Sequence, residues 1–189
     1  MAGKIIIISA PSGTGKSTII NALIERGEID MQFSVSATNR SPRGEEIDGV
    51  NYYFLTDDDF KKAIEADAFV EYEEVYPGRY YGTLKSEIER ITEAGHNVVL
   101  DIDVKGGINV KKLYSIRALS IFIEPPSVEV LRQRLEGRAT DSRDAIEQRL
   151  AKAEYELSFA PEFDCVVVND LLDRAVDEVE SRVKVFLEE

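Results

Sequence analysis

Cysteine and histidine are all but missing from this chain, each represented once, by Cys165 and His96. A single cysteine cannot form an internal disulfide, which points to a reducing, cytoplasmic compartment. Without a Cys/His cluster the usual zinc arrangements are excluded. No apolar run is long enough to span a membrane, and the opening MAGKIIIISAPSG meets a glycine-rich turn too soon to read as a signal peptide. Internal repeats, low-complexity tracts and Pro/Gly/Ser-rich linkers are lacking too, so the 189 residues read as one domain with a core of its own. Positive charge is scarce: 23 basic against 36 acidic residues leave a net charge of −13. That balance disfavours nucleic acid or an anionic membrane as a partner. An acidic chain that binds phosphate must gather its cations locally, which makes the arginines the residues to follow.

What the chain does have is a rhythm. Apolar, β-branched runs occupy residues 4–9 (KIIIIS), 97–102 (NVVLDI), 119–123 (LSIFI) and 165–168 (CVVV). They are continuous rather than alternating, as strands of a parallel sheet covered on both faces are. Helical spacing recurs between them. Residues 16–26 carry Ile19, Ile20, Leu23 and Ile24 ahead of Gly27; 57–66 follow Thr56; and 84–94 carry Leu84, Ile88 and Ile91. Ser127 caps a stretch through Leu131 and Leu135, and 142–158 and 173–187 complete the set. Strands alternating with helices imply an α/β fold, a three-layer sandwich. Residues 34–95, polar and rich in turns and tyrosine, break the rhythm and read as a small inserted lobe of mixed strands. Residues 134–149, poor in large apolar side chains until Ile146, read as a mobile cover.

The strongest local signal is SAPSGTGKST, residues 9–18. It matches the phosphate-loop pattern G-x-x-x-x-G-K-[ST] except at its first position, where Ala10 stands for glycine. Gly13 and Gly15 permit the unusual backbone angles that turn N–H groups toward an anion, and the loop opens a helix whose N-terminus attracts phosphate. Lys16 is spaced to reach the outer phosphates, and the Ser17 hydroxyl to ligate Mg2+. Alanine suits the first position provided its φ stays negative. Asp101, in the strand-end acids of VVLDID, is a second candidate for orienting magnesium; capping of the turn before Gly106 is the competing reading of those acids.

A series of segments in fixed order then resembles the guanylate kinases, which belong to the nucleoside monophosphate kinases of the P-loop NTPase superfamily. They are SAPSGTGKST, SVSATNRSPRGEE, GVNYYF, FVEYEEV, YYGT, LDIDVKG, RLEGR with a later Arg149, and VVVND, and they span nearly the whole chain. The resemblance implies a core of residues 1–33, 96–125 and 150–189 with a parallel sheet, a GMP-binding lobe at 34–95 and a lid at 126–149. It implies ATP and GMP as substrates with Mg2+, and phosphoryl transfer giving ADP and GDP, with dGMP also accepted. ATP would be held by Ser12, Gly13, Thr14, Gly15, Lys16, Ser17 and Thr18, with Asn169 and Asp170 near the adenine. The lid arginines Arg134, Arg138 and Arg149 would join Lys16 on the triphosphate.

The same resemblance places the GMP phosphate with Arg40, Arg43, Tyr52 and Tyr81, and the base with Ser36, Glu71, Thr83 and Asp103. A carboxylate at 71 fits guanine because N1–H and the 2-amino group both donate to it, whereas adenine offers a lone pair there. Two departures accompany the match. The acid after the second arginine aligns as Glu46, with Glu45 as the alternative, and EVYPGRYYG carries an extra residue in its turn. Two other functions stay open: a kinase for AMP or UMP, and a guanylate-kinase-like module that binds protein and has lost catalysis. Oligomeric state is not legible.

Overall fold

The computed structural model describes residues 2–137 and 143–189. In chain order the strands are β1 (Ile5–Ser9), β2 (Met31–Phe33), β3 (Ala37–Thr38), β4 (Tyr53–Phe54), β5 (Phe69–Tyr76), β6 (Arg79–Leu84), β7 (Asn97–Asp101), β8 (Ala118–Glu124) and β9 (Cys165–Val168). The helices are α1 (Lys16–Arg26), α2 (Asp57–Glu65), α3 (Lys85–Glu93), α4 (Val104–Tyr114), α5 (Val128–Glu136), α6 (Arg143–Leu157) and α7 (Leu172–Glu188). A five-stranded parallel sheet runs β2-β7-β1-β8-β9, and a four-stranded mixed sheet runs β4-β3-β6-β5. None of the described helices is long and apolar enough to cross a membrane.

The four isoleucines of β1 are each 0% exposed. Successive strand residues point to opposite faces, so a run with no exposed member lies on a sheet covered on both sides, the middle layer of the expected sandwich. The chain divides into two compact units, one running from the N-terminus to Ile5 and over Gln32–Val99, the other comprising Ile6–Met31 and Leu100–Glu189.

The first unit holds the mixed sheet. Ala37, Phe60 and Phe69 form its small core, with Phe60 stacked on Phe69 at 4.5 Å between centroids. β3 pairs with β4 in parallel and with β6 in antiparallel sense, and β5 pairs with β6. The β5–β6 ladder slips twice, between Phe69 and Glu71 and between Glu74 and Tyr76. The second slip takes up one residue beside the EVYPGRYYG turn, and the first lies immediately before Glu71.

In the second unit α4, which periodicity does not reveal, packs Val104 and Ile108 against Phe122 and Phe163. Its paired glycines argue against a helix on propensity. Their use lies in close approach, for a Cβ on Gly107 would sit 2.7 Å from Ser9 Oγ. Three other expectations need correction. Ile24 is 39% exposed rather than on the buried face of α1. Leu84 ends β6 and precedes α3 instead of lying within it. The segment 134–149 contains the fully buried Leu135, which joins Leu131, Ile146, Leu150 and Ala153 in one cluster between α5 and α6. The described parts of the expected cover are thus two packed helices.

Candidate functional site

The phosphate loop forms as a left-handed turn between β1 and α1. Gly13 and Gly15 have φ of 93° and 94°, values that side chains with a Cβ rarely adopt. Ala10 is not among the described non-glycine residues with positive φ, so its methyl costs no backbone strain. The loop closes on itself: Thr14 donates its N–H and its hydroxyl to the Pro11 carbonyl, at 3.3 and 2.9 Å. Behind it α1 begins at Lys16 with an exposed Ser17 and Thr18 in its first turn, and Ser12 is exposed as well.

Lys16 folds over the loop onto the end of β7. Its ammonium pairs with Asp101 and donates to the Ile102 carbonyl at 3.2 Å, while Ser17 Oγ donates to Asp101 Oδ2 at 3.3 Å. A cavity of about 370 Å³ opens here, walled by the loop, Asp101, Asp103 and Glu156. A smaller one of about 260 Å³ lies against Gly15, Arg134, Asn169, Asp170 and Leu172. Asp103 caps α4, accepting from Gly106 N–H at 2.8 Å, so the capping reading holds for this acid, which also lines the cavity. Arg134 donates to the Asn169 carbonyl at 2.8 Å. Arg149 is half-buried on α6, and Arg138 falls outside the described residues.

In the mixed-sheet unit the arginine turn is organised around Arg40, which is 5% exposed. Both of its terminal nitrogens donate to Glu46, at 2.6 and 2.7 Å; Nε donates to Tyr81 Oη at 3.1 Å, and Nη1 also to the Ser41 carbonyl. Four of its five N–H groups are therefore engaged, which leaves one Nη2 hydrogen for a further acceptor. Its guanidinium also lies 4.8 Å from the centroid of Tyr52, whose ring meets Tyr81 edge-on at 5.8 Å. Glu46 additionally accepts from Arg43 N–H at 2.7 Å, whereas Glu45 is exposed. The hydrogen bonds from Arg40 and Arg43 hold the Glu46 carboxyl down to about 2. Arg43 is exposed.

Glu71 faces Thr83 across the β5–β6 ladder and accepts its hydroxyl hydrogen bond at 2.7 Å. Ser36, half-buried, gives its carbonyl to Tyr53 N–H. The chain next to it is fixed by a residue that escapes sequence reasoning. Glu87, 2% exposed, accepts from Val35 N–H at 3.2 Å, from Tyr53 Oη at 2.8 Å and from Arg90 twice at 3.0 Å. Burial pushes its pKa up, but the bonds from Arg90, Tyr53 and Val35 outweigh that and leave it lowered. Glu156 is a second such residue. Burial raises its pKa, opposed by Lys152 and Lys16 and reinforced by Asp103. Both glutamates sit three or four residues from a cation, Arg90 or Lys152, a spacing that reads as an ordinary surface pair.

Comparison with known proteins places these features in context. A family model described as guanylate kinase matches residues 2–185. A guanylate kinase of Bacteroides thetaiotaomicron is 58% identical over 99% of this chain and 91% of its own length. One of Porphyromonas gingivalis is 54% identical over 97% of this chain and 98% of its own. The crystal structure of guanylate kinase from Anaplasma phagocytophilum superposes with a TM-score of 0.74 at 29% identity, over 97% of this chain and 86% of that one.

Proposed function

Because the chain belongs to the guanylate kinase family, we propose that it transfers the γ-phosphoryl group of ATP in line to the phosphate of GMP or dGMP, giving ADP and the nucleoside diphosphate. The observation that carries this reading is the phosphate loop itself, with its two left-handed glycines and with Lys16 poised at Asp101. The backbone of residues 12–18 would cup the triphosphate, whose oxygens would replace Asp101 as the partner of Lys16. Arg134, Arg138 and Arg149 would add charge from a lid at 126–149, over a core of 1–33, 96–125 and 150–189. Asn169 and Asp170 would lie on the ATP side.

GMP would occupy the lobe at 34–95. Its phosphate would meet Arg43, the remaining Nη2 hydrogen of Arg40 and the hydroxyls of Tyr52 and Tyr81, with Glu46 holding Arg40 in place. Its base would be chosen by Glu71, with Ser36 and Thr83 at O6 and Asp103 at the guanine edge. No general base is needed, because a phosphate monoester is largely dianionic at neutral pH. Alignment and charge stabilisation would supply the rate.

The oxygens of Ser17 and Asp101, 3.3 Å apart, are hard donors suited to magnesium. Among the described residues no group of three or more acids, histidines or cysteines is arranged to hold a metal. When bound, that ion would neutralise charge on the phosphates. A coupled assay for ADP with ATP and each of GMP, dGMP, AMP and UMP tests the reading. Turnover should follow guanine, and Lys16→Met should lower it by about 10²–10³-fold. Equal turnover of AMP and GMP, or none of either, would refute it.

A further inference from the structure

Asn169 is 5% exposed and directly follows β9. Its N–H donates to the Glu124 carbonyl at 2.8 Å, extending the β8–β9 ladder by one residue, so the sheet rather than a loop fixes its position. From there the side chain is aimed at the phosphate loop. Its Nδ2 donates to the Thr14 carbonyl at 2.6 Å in a buried bond. The next residue is Gly15, where a Cβ would come within 2.5 Å of that same Nδ2. Glycine at 15 is thus required by the amide as much as by φ.

The far side of Asn169 is held as well. Arg134 of α5 donates to its carbonyl at 2.8 Å, and Leu135 and Leu131 of the same helix would lie 2.8 and 3.1 Å from a Cβ on Gly13. Within a planar trans peptide the C=O and N–H point in opposite directions. Anchoring the Thr14 carbonyl on Asn169 therefore turns the Gly15 N–H the other way, toward the space a phosphate would take.

We infer that Asn169 is a positioning residue for the phosphate loop, a latch that sets the Thr14–Gly15 peptide with its N–H toward the triphosphate, rather than a residue whose side chain serves the base. The inference rests on the nucleotide reading above and assigns Asn169 to the phosphates.

A ligand with phosphates and no base separates the two roles. Asn169→Ala removes the donor, and Asn169→Leu does so while nearly preserving shape and adding no charge. Both variants would be titrated calorimetrically with MgATP, with magnesium tripolyphosphate and with GMP, after thermal melting has verified folding. The latch predicts that MgATP and tripolyphosphate weaken in parallel by about tenfold, as loss of one buried hydrogen bond implies, while GMP binding is unchanged. A folded variant that binds tripolyphosphate as tightly as the parent overturns the latch, whether or not ATP is lost. A parent protein that binds neither triphosphate would instead sink the nucleotide reading, and the latch with it.

Discussion

Single residues in this protein are held by partners that the sequence does not bring near them. Glu46 is the clearest case, since its depressed pKa makes acid stability a local measurement. A carboxyl lowered on folding contributes fully above its ordinary value of 4.5, and the contribution is lost as pH falls toward about 2. Stability of the parent should therefore decline across that window more steeply than that of Glu46→Gln, which lacks the titrating group. Urea unfolding at stepped pH measures the difference, and identical slopes would dismiss the pair as a contributor. The pattern of legibility at this scale is physical. Gly13, Gly15, Lys16 and Ser17 lie within one short stretch and could be read together, because their relation is set by covalent spacing. The engagement of Arg40 by Glu46, Ser41 and Tyr81 depends on a turn and a strand meeting, and spacing alone left its donors looking available.

At the level of elements, strands covered on both faces declared themselves through unbroken runs such as Ile5–Ile8, and helices through caps such as Thr56 with Asp59 and Ser127 with Val130. What escaped was short or contrary to propensity. Strand β2 has three residues, and α4 carries two glycines, Gly106 and Gly107, in its first turn. Helix α3 shows why burial matters beyond pattern, because Glu87 reads as a surface residue yet joins α3 to Val35 and Tyr53. Replacing it by alanine leaves an N–H, a hydroxyl and a guanidinium without their acceptor. Glu87→Ala should cost about 3 kcal/mol in denaturant unfolding, and Glu87→Gln, which keeps an acceptor, distinctly less. A neutral alanine variant would show that water replaces the carboxylate freely.

For the whole molecule, charge sets opposite responses to salt. With a net charge of −13 the folded chain repels itself, and added salt shortens the reach of that repulsion from about 30 Å at 0.01 M to about 3 Å at 1 M. The melting temperature should rise by about 2–4 °C across that range if screening returns about 1 kcal/mol. MgATP affinity should fall over the same interval, because the cations of the loop are screened too. Parallel changes of the two quantities would contradict this account.

The order of the larger sheet carries a consequence for synthesis. Strand β1 precedes both of its neighbours in the chain, and β7 and β8 end only at residues 101 and 124. A nascent chain emerging from the ribosome at about 5–20 residues per second must keep four consecutive isoleucines out of harm for several seconds before either flank can be covered. A strand whose four isoleucines are each 0% exposed in the finished protein is thus an aggregation hazard while the chain is being made.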